Sequence, residues 1–444
     1  MRADTHRRRW WNPCRAALVV IAAVVFSGDG RVLAQQVLDI CGCAADPTLT
    51  PFNAADPSTY PAGTSGCSSP CTGGTIIVPL PANGILKFSS FTVDGGFNIG
   101  FTRNAANTPV TILVAGNVLL RGAFGCCQSF SVSGGAGSSG TGSTAGVGGL
   151  GGNGGSRGGD AAAQAINGFT QGGAGFGPGG GPAATSSNAA SGGTFFGVLE
   201  LLPLAGGSGG GGGAGFGGTA SCTGGGGGGG GGALLIAANG TITIQNYVME
   251  AEGGTGGSVG NGGCATGGGG GSGGAIRLVA RSLIDGGTGI LRARGSGSNF
   301  GGGSGTNGRI RLESIDTTSQ TQFSSDPAAV RVTGPGPLAN PIAPTVAITN
   351  VGGNAISALP TGYLGSIDVV LPAPGVTGVD IATTGVPSGT SVEVKVKPRV
   401  GADPLASTVP LTNCDTQGNC SATATFNLSA GAYVVEARAT FQVQ

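Results

Sequence analysis

Long unbroken runs of glycine limit the possible folds of this chain more than any other feature of its sequence. Glycine occupies 96 of the 444 positions, and one run fills residues 224–232 without interruption. Such a chain forms no stable helical bundle or coiled coil, because glycine disfavours the helix and brings no side chain to bury. Consecutive glycines also break the strict Gly-X-Y period that collagen requires.

A repeat is visible where two of the glycine runs end. Residues 233–238 (Ala-Leu-Leu-Ile-Ala-Ala) and 275–280 (Ala-Ile-Arg-Leu-Val-Ala) lie 42 positions apart. The pairs aligned by this offset are Ile236 with Leu278, Ile242 with Ile284, and Val248 with Ile290. A shorter third copy follows after 34 positions, so that Ile276 aligns with Ile310. Self-similarity of this kind is the signature of a repeat architecture.

Each copy joins a short apolar stretch of strand length to a glycine-rich excursion, so one copy alone cannot bury its apolar side. If successive copies coil about a common axis, equivalent residues lie on adjacent strands about 4.8 Å apart, and their apolar side chains form ladders. The sequence therefore predicts an all-β protein in which residues 75–322 form a parallel β-helix, or solenoid, with long glycine-rich excursions.

The same offset aligns two other kinds of side chain. The pairs are Cys222 with Cys264, Glu250 with Arg292, and Glu252 with Arg294. Cysteines that are neighbours on adjacent strands lie within disulfide reach, and opposite charges that face each other across strands stabilise a sheet. We therefore predict a Cys222–Cys264 disulfide and a cross-strand charge ladder of two acid–arginine pairs.

The glycine runs themselves allow two interpretations. They are flexible loops on one flank of the solenoid, or they pack side by side as extended polyglycine helices whose backbones hydrogen-bond to neighbours. The sequence leaves both open, since ordering each residue costs about 1 kcal/mol or more of backbone entropy. For the longest excursion, residues 129–205, we expect irregular conformation and little secondary structure.

Three segments carry a resemblance to a known group of proteins: residues 224–244, 267–280 and 307–313 (Asn-Gly-Arg-Ile-Arg-Leu-Glu). They look like glycine-rich secreted right-handed parallel β-helix proteins of environmental bacteria. The resemblance covers roughly residues 75–315 and concerns the architecture. It implies an exported solenoid and brings no catalytic residues to this chain.

The N-terminal residues 1–34 have the features of a cleaved signal peptide. Five arginines precede an uncharged apolar run, residues 16–26, and this run is too short to span a membrane. Ala34 ends a cleavage motif of small residues. Removing this segment removes His6, the only histidine, so a Ser-His-Asp triad is impossible in the mature chain. No basic stripe remains for nucleic acid. We expect an extracellular or cell-surface location.

The cysteines predict a disulfide framework and no metal site. Ten cysteines remain after Cys14 leaves with the signal peptide, and an even number is typical of oxidised exported proteins. Cys414 and Cys420 enclose a polar tip and indicate a bridged hairpin. The pairing stays open for six cysteines, of which the first four also allow a four-thiolate site: Cys41, Cys43, Cys67, Cys71, Cys126 and Cys127. Residues 35–74 form a cysteine-containing N-terminal cap in this interpretation.

The glycine runs stop before the C-terminal part of the chain. Residues 323–344 contain several Pro and Gly residues and predict an extended linker. Beyond it, Val392, Val394 and Val396 alternate with charged residues, which is typical of a strand with one buried face. The other predicted strands are residues 367–371, 379–383, 422–428 and 433–441. About 100 residues with this pattern predict an immunoglobulin-like β-sandwich over residues 345–444.

Little in the sequence indicates catalysis. Glu250 and Glu252 resemble the acid pair of a glycoside hydrolase, but Arg292 and Arg294 beside them favour the ionised form of both, whereas a general acid needs a raised pKa. We therefore predict a structural or adhesive protein with no catalytic residue and no cofactor, whose partner is an extracellular glycan, matrix or surface protein. The alternative is a carbohydrate-active β-helix enzyme. An ice- or mineral-binding face requires a regular threonine ladder, and Thr241 and Thr243 alone do not make one.

Overall fold

The computed structural model describes residues 39–441, except for positions 45, 67–71, 124–127, 165–167, 187, 218–221, 261–264, 299–300, 318–322, 340–343, 358–366, 402–403 and 417. The expected signal peptide, residues 1–34, lies outside the described residues. One short 3-10 helix, Pro57–Thr59, is present in the described part, and the rest of its regular structure is β. No helix there is long and apolar enough to cross a membrane.

The strands before residue 334 come in this order: β1 (Phe52–Asn53), β2 (Gly73–Pro79), β3 (Ile85–Phe88), β4 (Phe91–Thr102), β5 (Val110–Val114), β6 (Val118–Gly122), β7 (Gln128–Ser131), β8 (Phe169–Thr170), β9 (Gly215–Phe216), β10 (Ala233–Gln245), β11 (Tyr247–Glu250), β12 (Ala275–Asp285), β13 (Ile290–Arg292), β14 (Arg309–Asp316), β15 (Ser324–Asp326) and β16 (Val330–Thr333). Strands β8 and β9 form a separate antiparallel pair. The other 14 form one large curled sheet in which the strand pairs are parallel.

Strand β4 is the place where this sheet curls. Its first half pairs with β6, with Phe91 beside Val118, and its second half pairs with β7, with Ile99 beside Phe130. From β6 the sheet continues through β10, β12, β14 and β16, and from β7 it continues through β11, β13 and β15. Successive passes of the chain therefore add one strand to each arm of the sheet.

The register between β10 and β12 has the offset of 42 that the repeat predicts, with Ile236 beside Leu278. The offset changes by one residue at an irregularity between Ala238 and Thr241. Ile242 consequently lies beside Leu283, and its predicted alignment with Ile284 is wrong. The local bulge turns Leu283 into the core, whereas Ile284 is 40% exposed.

Apolar ladders fill the inside of the curl. One ladder runs through Ile112, Ile236, Leu278 and Leu312, which occupy equivalent positions on β5, β10, β12 and β14 and are buried completely. The ladder ends beside Arg331 on the edge strand β16, whose guanidinium donates to the carbonyls of Phe323 and Ala329. Burial of each Leu or Ile stabilises the fold by roughly 1.5 to 3 kcal/mol.

The glycine run 224–232 is buried and ordered. Its N–H groups donate to carbonyls of other segments at N···O distances from 2.7 to 3.2 Å. The acceptors change in a cycle of three: Gly224, Gly227 and Gly230 donate to residues 156–162, Gly225, Gly228 and Gly231 to residues 266–272, and Gly226, Gly229 and Gly232 to residues 132–138. The carbonyls of residues 224–231 accept from three further segments, residues 146–152, 207–213 and 254–257, and that of Gly232 accepts from the N–H of Ala275. Three residues per turn and hydrogen bonds to neighbours define the extended polyglycine helix.

This helix therefore has six neighbours, and we call the packed set the glycine bundle: residues 132–140, 146–152, 156–162, 207–213, 224–232, 251–258 and 266–274. A Cβ atom on Gly228 would lie 1.9 Å from the carbonyl oxygen of Gly254, and one on Gly227 would lie 2.0 Å from that of Gly210. Only glycine allows so close an approach. The interpretation as flexible loops is wrong for these segments. For residues 129–205 the expectation of little secondary structure is confirmed in the described part, where only the end of β7 and β8 are strand, but the expectation of irregular conformation is wrong where that range belongs to the bundle.

The C-terminal part contains nine strands: β17 (Thr345–Val351), β18 (Asn354–Ala355), β19 (Val369–Leu371), β20 (Gly375–Thr384), β21 (Ser391–Pro398), β22 (Leu405–Pro410), β23 (Asn413–Cys414), β24 (Cys420–Leu428) and β25 (Gly431–Ala439). They form two antiparallel sheets, β18-β17-β20-β24-β23 and β19-β25-β21-β22, around one apolar core. The strands expected from valine alternation and apolar pattern are all present here.

Charged contacts join the double sheet to the glycine-rich part. Arg399 Nε lies 3.0 Å from Asp160 Oδ2, Lys397 donates to the carbonyl of Gly175 at 2.9 Å, and Glu436 accepts from the N–H of Gly177 at 2.8 Å. Part of the expected linker 323–344 also has a fixed place, because β15 and β16 lie within it and pair with β13 and β14.

Candidate functional site

The charge ladder lies on β11 and β13 and just after them. Both side chains of each acid–arginine pair point away from the apolar core. Glu250 is beside Arg292 in the register, and their Oε1 and Nη1 atoms are 3.6 Å apart. Glu252 and Arg294 follow directly after these strands with a separation of 2.6 Å, and Arg294 also lies 3.8 Å from Asp326 on β15. The charges therefore alternate in sign from one pass of the chain to the next.

Glu250 differs from the sequence expectation in one respect. Burial, and then repulsion from Glu252, raise the pKa of the Glu250 carboxyl, while Arg292 and Arg294 offset only part of this. Arg292 and Arg294 do lower the pKa of Glu250, as the sequence predicts, but burial and Glu252 outweigh them, so the expected net direction of the shift is wrong. A raised pKa is what a general acid needs, but the carboxylate is already engaged by Arg292.

A second charged cluster lies on the outer side of β12 and β14. Arg277 and Arg311 are neighbours in the register, and Glu313 Oε1 accepts from Nε of both, at 2.7 and 2.6 Å. Arg277 is only 1% exposed, because residues 334–338 cross over it. Gly336 donates to the second Glu313 oxygen, and the Pro337 carbonyl accepts from Arg277. This surface therefore does not present two exposed, stacked arginines to solvent.

Burial would raise the pKa of Glu313, but hydrogen bonds from Arg277, Gly336 and Arg311 lower it on balance. Glu313 therefore holds two arginines and a passing backbone segment together. A buried carboxylate with all its partners in place fixes the path of residues 334–338 rather than offering a free acid or base.

The described cysteines are paired. Cys414 and Cys420 form a disulfide across the β23–β24 hairpin, with Cα atoms 4.0 Å apart. Cys41 and Cys43 are bonded to each other, with Cα atoms 5.2 Å apart. Cys222 is buried and disulfide-bonded, whereas Cys264, its predicted partner, lies outside the described residues. The same holds for Cys67, Cys71, Cys126 and Cys127.

Asp39, Cys41 and Cys43 bring ligand-type atoms within 4.8 Å of one another. Both sulfur atoms are committed to their shared bond, and Asp39 accepts hydrogen bonds from the backbone of Cys43 and Ala44 and from Asn239. A metal site of thiolate ligands requires free thiolates, and this cluster has none. Its disulfide and hydrogen bonds instead close a loop at the start of the described chain.

One flank of the glycine bundle presents a regular array of small side chains. Four segments lie side by side there: residues 146–152, 132–140, 251–258 and 292–297, joined by hydrogen bonds such as Ser138 N–H to Val147 O and Gly253 N–H to Arg294 O. Every third residue of each segment is at least partly exposed there, and in residues 132–140 Gly135 and Ser138 are exposed as well. We call this surface the outer face, and it consists of Val147, Leu150, Ser133, Ala136, Ser139, Glu252, Thr255, Ser258, Arg294 and Gly297.

Exposure supports this assignment, since Val147 is 52% and Leu150 41% exposed although the glycines on either side of them are buried. A sequence signal for the outer face exists and was missed. Residues 147–152 read Val-Gly-Gly-Leu-Gly-Gly, and residues 252–258 read Glu-Gly-Gly-Thr-Gly-Gly-Ser. Two glycines followed by one larger residue is the pattern of an extended helix that is packed on two sides and open on the third.

A cleft of about 510 Å³ lies between the double sheet and the glycine-rich part. Its lining mixes partly buried apolar residues, such as Val346 and Ile348, with these charged residues: Asp368, Glu393, Lys395, Glu436 and Arg438. Glu436 is paired with Lys397 at 2.7 Å, and Asp368 accepts from the N–H of Val435. Two of the three carboxylates thus hold the surrounding structure in place.

No protein-family model matches this chain, and no curated protein or solved structure is detectably similar to it.

Proposed function

We propose that this chain is an exported structural or adhesive protein of the cell surface or extracellular matrix, without catalytic activity. The observation that carries the proposal is the glycine bundle. Its glycines lie so close to neighbouring backbones that an added Cβ would be about 2 Å from a carbonyl oxygen at many of them, and one flank of this hydrogen-bonded body exposes side chains to solvent. Such a body suits a stiff support or a contact surface, and it offers few groups for chemistry.

The architecture that we infer is a right-handed parallel β-helix followed by an immunoglobulin-like sandwich, as in the glycine-rich secreted proteins that the sequence resembles. Support for the β-helix comes from ladders such as Ile236 beside Leu278, which repeat along both arms of the curled sheet. Support for the sandwich comes from two antiparallel sheets that share one core. The arginine-rich, then apolar, N-terminal segment supports export.

A carbohydrate-active enzyme remains the second candidate, and Glu250 is the residue that favours it. Its pKa is raised, and Glu252 follows two residues later. Against this, the carboxylates of both residues are held by arginines of the next pass, at 3.6 and 2.6 Å. A retaining or inverting pair needs one carboxyl that is free to donate a proton and another that faces the sugar.

The proposal is tested with the mature chain, residues 35–444. Immobilised on beads, it is expected to retain cells or extracellular matrix above the level of beads coated with an unrelated protein. The same preparation is expected to leave a panel of plant and microbial polysaccharides unchanged, measured as reducing ends and unsaturated products. If the wild type degrades a polysaccharide and Glu250→Gln does not, the chain is an enzyme instead. If the beads retain neither cells nor matrix, the adhesive function is refuted.

A further inference from the structure

Strand β24 of the double sheet has one edge that stays unpaired over most of its length. On one side it pairs with β20 from Cys420 to Leu428, whereas on the other side β23 pairs only with its first two residues, Cys420 and Ser421. Beyond them, the described part of the chain places no strand beside β24 on that side. We call this side of residues 422–428 the open edge.

The backbone groups of the open edge are identified by the alternation of an antiparallel ladder. Gly378 lies beside Thr425 in the register, and its carbonyl accepts from Gly352 on the far side of β20. The two residues therefore form a pair without mutual hydrogen bonds, in which Thr425 also directs its N–H and C=O away from its neighbour. Thr423 and Asn427 have the same direction. Three N–H and three C=O groups thus point to the open edge, repeating about every 6.8 Å.

The open edge has none of the features that normally protect an exposed strand from pairing. Residues 422–428 contain no proline and no charged side chain, and their pairing with β20 continues without a bulge. Thr423, Thr425 and Asn427 are exposed, while Ala424 and Phe426 between them are buried in the core of the double sheet. An unprotected edge of this kind is a template for one more strand.

An apolar recess lies at the far end of the open edge. The two sheets meet beside the start of β24, because the chain runs from β22 in one sheet directly into β23 in the other. Toward the end of β24 they separate, and a gap of about 560 Å³ lies between Leu405, which begins β22, and Leu428, which ends β24. Leu405 and Val400 in its lining are 45% and 41% exposed. We call this recess the end gap.

Arg399 is the one charged residue among the described residues that line the end gap. Its Nε lies 3.0 Å from Asp160 Oδ2, and the same carboxylate also pairs with Arg157. Two guanidinium groups therefore share one carboxylate, and the Arg399 side chain is 47% exposed. The end gap is thus complementary to an apolar side chain that has a carboxylate beside it.

We propose that the open edge binds an extended segment of a partner protein, which adds a strand to β24, places an apolar side chain in the end gap and brings a carboxylate to Arg399. An extended polypeptide supplies C=O and N–H groups at the spacing of Thr423, Thr425 and Asn427. In strand addition, main-chain hydrogen bonds provide affinity and pockets for alternate side chains provide specificity. This inference rests on the adhesive function proposed above and gives the chemistry of its partner.

The test uses the mature chain and a fluorescent peptide, Thr-Val-Thr-Val-Thr-Leu-Asp, whose binding is followed by anisotropy. Two further peptides carry N-methyl groups on alternate amides, one peptide for each edge of the bound strand. The peptide methylated on the edge that faces β24 is expected to lose binding, and the other is expected to bind as the unmodified peptide does. Replacing the final Asp by Asn is expected to weaken binding by about two- to fivefold, because the carboxylate near Arg399 is lost.

Thr425→Pro removes one N–H from the open edge, where no strand of the described chain pairs with it. It is expected to weaken binding of the peptide by about fivefold or more, the equivalent of one hydrogen bond. Leu405→Glu places a carboxylate in the end gap and is expected to abolish binding. The matched control, Ile315→Glu, makes the same kind of change at a residue of β14 that is 47% exposed, and it is expected to bind as wild type.

Unfolding temperatures of the three variants show whether each is folded. The proposal is overturned if the wild type does not bind the peptide at about 1 mM, if the two methylated peptides bind equally, or if the folded Thr425→Pro and Leu405→Glu variants bind as wild type. A wild type that sediments as a dimer, with Thr425→Pro as a monomer, shows that a second copy occupies the edge instead. Beads that retain cells while the peptide does not bind remove this inference alone and leave the adhesive function in place.

Discussion

Replacing Gly228 by alanine is the sharpest perturbation of the glycine bundle. The added methyl group would lie 1.9 Å from the carbonyl oxygen of Gly254, which is backbone and has no rotamer to change. Overpacking a tight interior costs about 1 to 3 kcal/mol. Moving the helices apart also weakens the hydrogen bond from Gly228 to Gly269 and the one from Gly210 to Gly228, each with a net value of about 1 kcal/mol. Together, these costs are expected to lower the free energy of unfolding of Gly228→Ala by roughly 3 to 5 kcal/mol.

Gly297→Ala is the matched control, because a Cβ at Gly297 meets nothing within 4 Å and the residue is exposed on the outer face. There the alanine is expected to be neutral or to stabilise by about 0.4 to 1 kcal/mol through the unfolded chain. Urea unfolding measures both free energies, and hydrogen exchange of the peptide that contains residues 224–232 reports the bundle directly. Equal stability of the two variants, with equal protection of those amides, would refute the close packing of the glycine helices.

Four further predictions follow from the charged and bridged groups. Glu313→Gln leaves the buried Arg277 and the partly buried Arg311 without their carboxylate and is expected to lower the free energy of unfolding in urea by about 3 to 5 kcal/mol. Burial raises the pKa of the Asp160 carboxyl, but Arg157, Gly148 and Arg399 lower it on balance. The ionised Asp160 therefore stabilises the fold at neutral pH, and this stabilisation is lost below about pH 4. Asp160→Asn is expected to show a smaller loss of stability than wild type as the pH falls, in unfolding measured from pH 7 to pH 3. The pKa of Glu250 is shifted in the opposite direction, so its ionised form destabilises the folded state. Glu250→Gln is therefore expected to be more stable than wild type at pH 7 but not at pH 4. Replacing Cys414 and Cys420 by serine opens the loop that their disulfide closes and is expected to lower stability by about 2 kcal/mol.

The sequence predicted the parts of the fold that depend on periodic apolar residues. Ile236 and Leu278 align because both must be buried, and any other register would expose one of them. The prediction failed at Ile242, since a bulge of one residue leaves the composition of the strand unchanged and alters only its pairing. The sequence also does not show that Arg277 is buried, because the segment that covers this side chain, residues 334–338, is remote in sequence. No local pattern identifies such a cover.

The glycine bundle depends on the curled sheet for its register. A polyglycine helix that slips by three residues keeps the same hydrogen bonds and the same lack of side chains, so the run 224–232 carries no information about where it belongs. The strands supply that information: the run ends at Ala233 in β10, and the run before Ala275 ends in β12, where ladders of isoleucine and leucine fix the register. Each glycine ordered in the bundle costs about 1 kcal/mol or more of backbone entropy. Hydrogen bonds to six neighbours and close backbone packing offset this only if the register is correct, so the apolar ladders and the glycine helices are expected to form and unfold together.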